Sequence, residues 1–207
     1  QLYPTVIGEH THDISSSHAE AKAYFRQGFQ LMYAFAKEEA TRSFREAWKR
    51  DPDCAICYWG EAWSWGSYLN GPMRPFEAPH AYAAMKEAVA RRDHANGKEQ
   101  AYIEALQSRY VDNFDPETRR DQDEAYADAM QQLAETYPDD LDAVTLYADA
   151  LFLLEPRRGT RDLTAPNVQR LHRVLESVLA RDITHPGACH LYIHATESTI
   201  DPGKAAG

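Results

Sequence analysis

The chain has 207 residues, of which 43% are hydrophobic, 26% charged and 11% aromatic, so it is long enough to bury a core and is not a disordered polymer. Its 22 basic and 32 acidic side chains give a formal net charge of -10, which argues against nucleic acid as a partner because phosphate binding requires a basic face. No apolar run approaches the roughly 20 residues that a membrane-spanning helix needs.

The helical signal begins after an N-terminal stretch, residues 1–17, which is predicted to be extended. Between Ala19 and Arg50, apolar and small residues recur at three- and four-residue spacing, which is typical of amphipathic helices. Further helical patterns cover Ala78–Asp93, Lys98–Val111, Pro116–Tyr137, Leu141–Leu154, Pro166–Arg181 and Ala188–Ser198. Because no segment alternates with period two, the sequence predicts an all-α chain of about eight to nine helices.

One stretch of this pattern fits a repeat of about 34 residues. If Ala21 is the first position, Tyr24, Gly28 and Leu31 take the fourth, eighth and eleventh positions. Later positions of the repeat are filled by Ala40, Phe44, Ala47 and Pro52. This spacing resembles the tetratricopeptide repeat, in which small residues let two antiparallel helices pack closely and a proline ends the second helix.

The repeat frame continues along the chain. Ala55 opens a second unit, and Pro138 and Pro186 fit as prolines that end later units. The resemblance predicts a right-handed α-solenoid of four to five helical hairpins over residues 18–207. We expect the second hairpin to be irregular because Ser67–Glu77 lies between its helices. The spacing leaves a helical bundle open as the alternative.

Two longer motifs narrow the resemblance. Residues 51–62 read DPDCAICYWGEA, and residues 185–195 read HPGACHLYIHA. Both are similar to a bacterial family of large tetratricopeptide proteins, whose members are usually longer, carry further histidines and in many cases look exported. The resemblance implies no established reaction.

The two ends of the sequence carry expectations of their own. The chain begins at Gln1 and not at methionine, so either a targeting segment has been removed, which we favour, or the sequence simply starts there. Residues 201–207 read as a turn followed by the start of another helix. Because solenoids need a polar cap, we expect the array to continue or another chain to cover this end. With the resemblance, these features predict a periplasmic or extracellular protein.

Cys54 and Cys57 form a C-x-x-C motif at the predicted start of a helix. Thiols at a helix N-terminus are acidified, which favours redox chemistry or metal binding. Tyr58 stands where a c-type haem motif needs histidine, and a zinc site needs a second ligand pair although only Cys189 remains. A local disulfide or close packing is therefore favoured, with redox and metal roles left open.

A run of aromatic residues falls on one predicted face. In tetratricopeptide arrays the first helix of each repeat lines the concave side, and the aromatic residues at those positions are Phe25, Phe29, Tyr33, Trp59 and Trp63. Aromatic rings bury a large area and anchor partners well, so the resemblance implies a groove that binds a protein. The alternative is that residues 2–16 cover this face within the chain.

Histidines form a group near the end of the sequence. His190, His194 and Glu197 follow i, i+4, i+7 spacing, which places them on one helix face, and His185 lies just before that helix. Imidazoles one turn apart with a carboxylate nearby suit zinc, copper or iron.

A second histidine group, His10 and His12, lies in the N-terminal segment. The two groups could converge on the inside of a curved array and complete one metal site. The alternative is that the helix histidines form hydrogen bonds within the core while His10 and His12 lie in solvent.

The sequence contains no nucleophile elbow, phosphate loop or dinucleotide motif, so it gives no reaction and favours a protein that is not an enzyme. The leading hypothesis is an exported scaffold without a cofactor that binds a protein partner or assembles with copies of itself. The competing hypothesis is a metal-binding protein, with redox or catalytic chemistry open, whose transition-metal ion is held by the histidines.

Overall fold

Nine α-helices form most of the chain that the computed structural model describes, which is residues 1–3, 8–156 and 159–206. The helices are α1 (Ala19–Tyr33), α2 (Lys37–Arg50), α3 (Ala55–Trp65), α4 (Ala78–Ala90), α5 (Gly97–Gln107), α6 (Arg119–Thr136), α7 (Leu141–Leu153), α8 (Pro166–Leu179) and α9 (Pro186–Glu197). Short 3-10 helices lie at Arg92–His94 and Pro202–Ala206. Residues 4–7 of the predicted N-terminal segment, and 157, 158 and 207 of the predicted repeat region, lie outside the described residues.

The prediction of an all-α chain with about eight to nine helices is confirmed. The described residues contain no β-strand, only an isolated bridge between Tyr68 and Gly71. The largest difference in a helix end is at α5, which ends at Gln107 and not at Val111 because the next residues form a turn. Among the described helices, none is long and apolar enough to cross a membrane.

Side chains cap the two helices that carry the candidate site. Oδ1 of Asp140 accepts a hydrogen bond from the backbone N–H of Ala143, 3.1 Å away, at the start of α7. Nδ1 of His185 accepts one from the backbone N–H of Ala188, 3.2 Å away, at the start of α9. These caps satisfy amide groups that have no partner within the helix.

The helices pack in an order that follows the chain. Each α-helix contacts its neighbours in sequence, and α1 also contacts α3, α3 contacts α5, and α7 contacts α9. In addition α1 contacts α9, so the first and last of the nine helices meet. This meeting brings the N-terminal segment beside the start of α9.

Two glycines let the first three helices approach closely. The ring of Phe44 in α2 lies against Gly28 of α1 and Gly60 of α3, and a Cβ atom at Gly28 would come within 2.8 Å of that ring. At Gly60 the approach is closer still. Real Cβ atoms do not make such contacts, so the packing requires a residue without a side chain at both positions.

The long connection expected in the second hairpin is present, because α3 and α4 are separated by residues 66–77. Oγ of Ser67 accepts hydrogen bonds from the backbone N–H of Met73 and from Arg119, each 2.8 Å away. The buried Arg109 donates to the Ser67 carbonyl oxygen. Side-chain hydrogen bonds thus replace the regular geometry of a short helix-to-helix turn.

Candidate metal centre

The N-terminal segment lies over the helices without forming one between residues 8 and 18. Ser15 donates to the Glu99 carboxylate of α5, through its backbone N–H at 2.5 Å and its hydroxyl at 2.6 Å. The Ser16 hydroxyl donates to Asp51, 2.6 Å away. The His12 ring stacks on Phe29 of α1, with ring centroids 4.4 Å apart.

All five aromatic residues that the resemblance assigns to a groove are buried, namely Phe25, Phe29, Tyr33, Trp59 and Trp63. Their rings contact one another in α1 and α3, and the N-terminal segment covers part of this face. In this structure they belong to the core, and Tyr33 and Trp63 also line a small cavity.

The carboxylate of Asp142, in the first turn of α7, gathers side chains from both ends of the chain. Its Oδ1 accepts a hydrogen bond from the Tyr33 hydroxyl at 2.6 Å. Nε2 of His10 lies 3.0 Å from Oδ1, and Nε2 of His185 lies 3.2 Å from it. On the other side, Nδ1 of His12 lies 2.7 Å from Oδ2.

These contacts decide the charge of the cluster. Burial raises the pKa of Asp142, but hydrogen bonds from His10, His12 and His185 outweigh burial and hold that pKa well below its usual value. Burial lowers the pKa of His10, and the neighbouring Asp142 carboxylate more than compensates, so the pKa of His10 is raised. Burial and the same carboxylate raise the pKa of Tyr33, whose hydroxyl therefore keeps its proton and donates.

Two sets of potential ligand atoms surround the Asp142 carboxylate, each with its atoms within 4.8 Å of one another. One set is His10, Asp142 and His185, which we call the junction triad. The other is His12 and Asp140 with Asp142. Nζ of Lys98 lies 2.7 Å from Asp140 and already supplies a positive charge there. The junction triad is therefore the better candidate for a metal ion.

The hydrogen bonds of His185 decide which of its ring nitrogens could bind a metal ion. Its Nδ1 accepts the backbone N–H of Ala188, so the neutral ring carries its proton on Nε2, which faces Asp142. Nε2 is buried, and its contact with Oδ1 of Asp142, 3.2 Å away, is poorly aligned for a hydrogen bond. A metal bond at Nε2 would move the ring proton to Nδ1, so His185 could no longer cap α9. The lost cap costs about 1 kcal/mol, whereas the binding free energy of structural zinc is about 10 kcal/mol or more.

The remaining predicted ligands form a separate group on α9. Nε2 of His190 and Nε2 of His194 lie 3.1 Å apart. Nδ1 of His190 lies 2.5 Å from the carbonyl oxygen of Tyr33, and Nδ1 of His194 lies 2.6 Å from the carboxylate of Glu197. The structure thus divides the six predicted ligands into His10, His12 and His185 around Asp142, and His190 and His194 with Glu197. We call the two histidines of the second group, His190 and His194, the α9 pair.

Cys54 and Cys57 are joined by a disulfide at the start of α3, with Cα atoms 5.4 Å apart. Both residues are buried. They lie outside both histidine groups, so the C-x-x-C motif supplies no ligand to either.

The sequence did not predict that Asp142 and Tyr33 belong to this cluster. Asp142 follows Pro138 and two further aspartates, and acids in such a position are commonly helix caps, as Asp140 is here. The resemblance places Tyr33 in the groove and not in a metal centre. Its hydroxyl contacts Asp142 and its carbonyl contacts His190, so it links the two histidine groups.

Comparisons of the chain with protein-family models, with curated proteins and with solved structures find no match. The geometry of the two histidine groups is therefore the main indication of function.

Proposed function

We propose that this protein binds a divalent first-row transition-metal ion at the junction triad of His10, Asp142 and His185. The observation that supports the proposal is the convergence of these side chains from opposite ends of the chain, with all ligand atoms within 4.8 Å. Tyr33 would orient the carboxylate through the hydrogen bond that its hydroxyl donates to Asp142.

The kind of ion follows from the donor set. Two imidazoles and one carboxylate suit zinc, iron(II) and neighbouring divalent ions, and three protein ligands leave coordination positions for water or a substrate. The side chains of Asp142 and His185 are 8% and 1% exposed, whereas that of His10 is 18% exposed. Solvent would therefore reach the ion from the side of the N-terminal segment.

The test is metal binding by protein that has been treated with a chelator and reloaded. We expect Zn²⁺ to bind in titration calorimetry, and binding should weaken as the pH falls because the histidine ligands must be deprotonated. His10→Gln should remove a ligand and abolish this binding event. His94→Ala removes an exposed histidine and serves as the control.

His12→Gln is a second, more closely matched control. His12 contacts the same carboxylate but lies outside the junction triad. Equal Zn²⁺ affinity in wild type and His10→Gln would refute the proposal, and so would complete loss of binding in His94→Ala.

A second candidate function is the interaction scaffold, a tetratricopeptide-like solenoid that assembles with copies of itself. The order of helix contacts supports such an array, since α1, α3 and α5 touch in succession. Three isoleucines before, within and after α9 are exposed and could contact a second copy, namely Ile183, Ile193 and Ile200. The Cys54–Cys57 disulfide supports export to an oxidising compartment.

Light scattering tests self-assembly directly. Wild type should exceed the monomer mass, and Ile193→Asp, which places a charge on the exposed side of α9, should return the protein to monomer. A wild-type monomer at all concentrations would exclude self-assembly while leaving the metal proposal untouched.

A further inference from the structure

The α9 pair has the hydrogen-bond pattern that is typical of metal-binding histidines. A backbone carbonyl oxygen can only accept a hydrogen bond, so the contact with Tyr33 requires a proton on Nδ1 of His190. An ionised carboxylate also only accepts, so Glu197 requires a proton on Nδ1 of His194. In the neutral rings, both Nε2 atoms therefore carry a lone pair and no proton.

These two lone pairs face each other across 3.1 Å. Without a cation between them the nitrogens repel, and with an ion about 2.05 Å from each, a separation of 3.1 Å gives a nitrogen–metal–nitrogen angle of about 98°. That angle lies between the values of square-planar and tetrahedral coordination, which Cu²⁺ and Zn²⁺ prefer respectively.

The surroundings of the pair hold the rings in place. Metal-binding histidines typically donate their other ring N–H to a carbonyl or carboxylate, as both do here. The ring of Phe35 packs on them, with centroids 4.1 Å from His190 and 5.7 Å from His194. Phe35 has φ of 57°, a left-handed conformation that residues with a side chain rarely adopt.

We propose that His190 and His194 form a second, solvent-accessible transition-metal site, distinct from the junction triad. Glu197 and the Tyr33 carbonyl orient the rings and do not touch the ion. The His194 side chain is 19% exposed and that of Glu197 is 52% exposed. Two protein ligands leave the other positions to water or a small exogenous ligand, so this ion should exchange readily.

The site does not depend on the junction triad, and stoichiometry separates the two. We expect chelator-treated wild type to bind two equivalents of Cu²⁺ or Zn²⁺ in titration calorimetry. His190→Ala/His194→Ala should lose one equivalent and keep the other, whereas His10→Gln should lose the other one. His80→Ala/His94→Ala removes two histidines elsewhere and should keep both equivalents.

Glu197→Ala tests the pair without removing a ligand. It leaves both Nε2 atoms in place but removes the acceptor for His194, and loss of such a partner typically weakens metal binding by about 10- to 100-fold. A structural role alone would predict no change in affinity. The electron paramagnetic resonance spectrum of Cu²⁺ at this site should show coupling to two imidazole nitrogens.

Nitrogen NMR of the metal-free protein provides a readout that does not depend on affinity. The long-range ring correlations should show both histidines protonated at Nδ1. A proton on Nε2 of either neutral ring, or unchanged metal stoichiometry in His190→Ala/His194→Ala, would overturn the proposal and leave a pair that only shares a proton.

Discussion

At the scale of single residues, two aspartates on α7 show how surroundings decide charge. Asp142 and Asp149 are seven positions apart on the same helix. Hydrogen bonds from three histidines overcome burial at Asp142 and keep its pKa well below the usual value. Burial raises the pKa of Asp149 to about 6, although Arg109 and Lys37 counteract it. Asp149 therefore destabilises the fold when it is ionised.

The sign of the pH effect at Asp149 follows from proton binding. Between its usual value of 3.8 and about 6, the folded chain holds a proton on this carboxyl that the unfolded chain has released. Raising the pH through this window thus lowers the free energy of unfolding, by at most about 1.4 kcal/mol per pH unit for one proton. Asp149→Asn should lack this contribution.

The measurement is urea unfolding of both proteins from pH 4 to pH 6. The difference in free energy of unfolding should move in favour of Asp149→Asn as the pH rises. Asp128→Asn, which removes an exposed carboxylate, is the control. Parallel curves for wild type and Asp149→Asn would contradict the prediction.

At the scale of elements, the N-terminal segment acts as a part of the core although it has no helix between residues 8 and 18. It fastens to α5 through Ser15 and Glu99, and to α7 through His12 and Asp142. His12 also covers Phe29. The segment therefore joins helices that are far apart along the chain.

Deletion of residues 1–17 should lower the free energy of unfolding by about 3 kcal/mol or more. Phe29 loses the cover of His12, the buried Glu99 carboxylate loses Ser15, and Asp142 loses two of its histidine contacts. Urea unfolding and binding of a hydrophobic dye would report both effects. Asp13→Ala is the matched control, since it breaks only the exposed ion pair with Arg26, and such pairs contribute about 1 kcal/mol or less. Equal stability of the deletion variant and wild type would show that the segment is dispensable.

At the scale of the whole molecule, both histidine groups lie near the contact between α1 and α9. Gly187 lies against the ring of Tyr33, and a Cβ atom there would come within 2.6 Å of the ring carbon Cζ. Tyr33 contacts Asp142 on one side and His190 on the other. A small displacement of this tyrosine would therefore disturb both groups at once.

Gly187→Ala should force the ring of Tyr33 to move, which costs about 1–3 kcal/mol of stability. Because Tyr33 touches a residue of each group, the same substitution should weaken metal binding at both sites in calorimetry. Gly97→Ala is the control, since a Cβ atom there would lie 3.9 Å from its nearest neighbour, the hydroxyl of Tyr137. If Gly187→Ala lowers stability but leaves both metal affinities unchanged, the coupling through Tyr33 is wrong.

The sequence by itself determined the features that depend on neighbours along the chain. Apolar spacing set the helices, and the i, i+4 spacing of His190 and His194 placed them on one face of α9, because a helix repeats every 3.6 residues. The long connection after α3 followed from a stretch without that spacing.

Only the tertiary structure decided which distant residues meet. His10 and His185 come together at Asp142 because α1 contacts α9, and no local pattern encodes that contact. In the folded chain the rings of Phe29 and Trp63 are buried, although their spacing is equally compatible with an open groove. Local spacing fixes the face of a helix on which a residue lies, whereas the path of the whole chain fixes what that face touches.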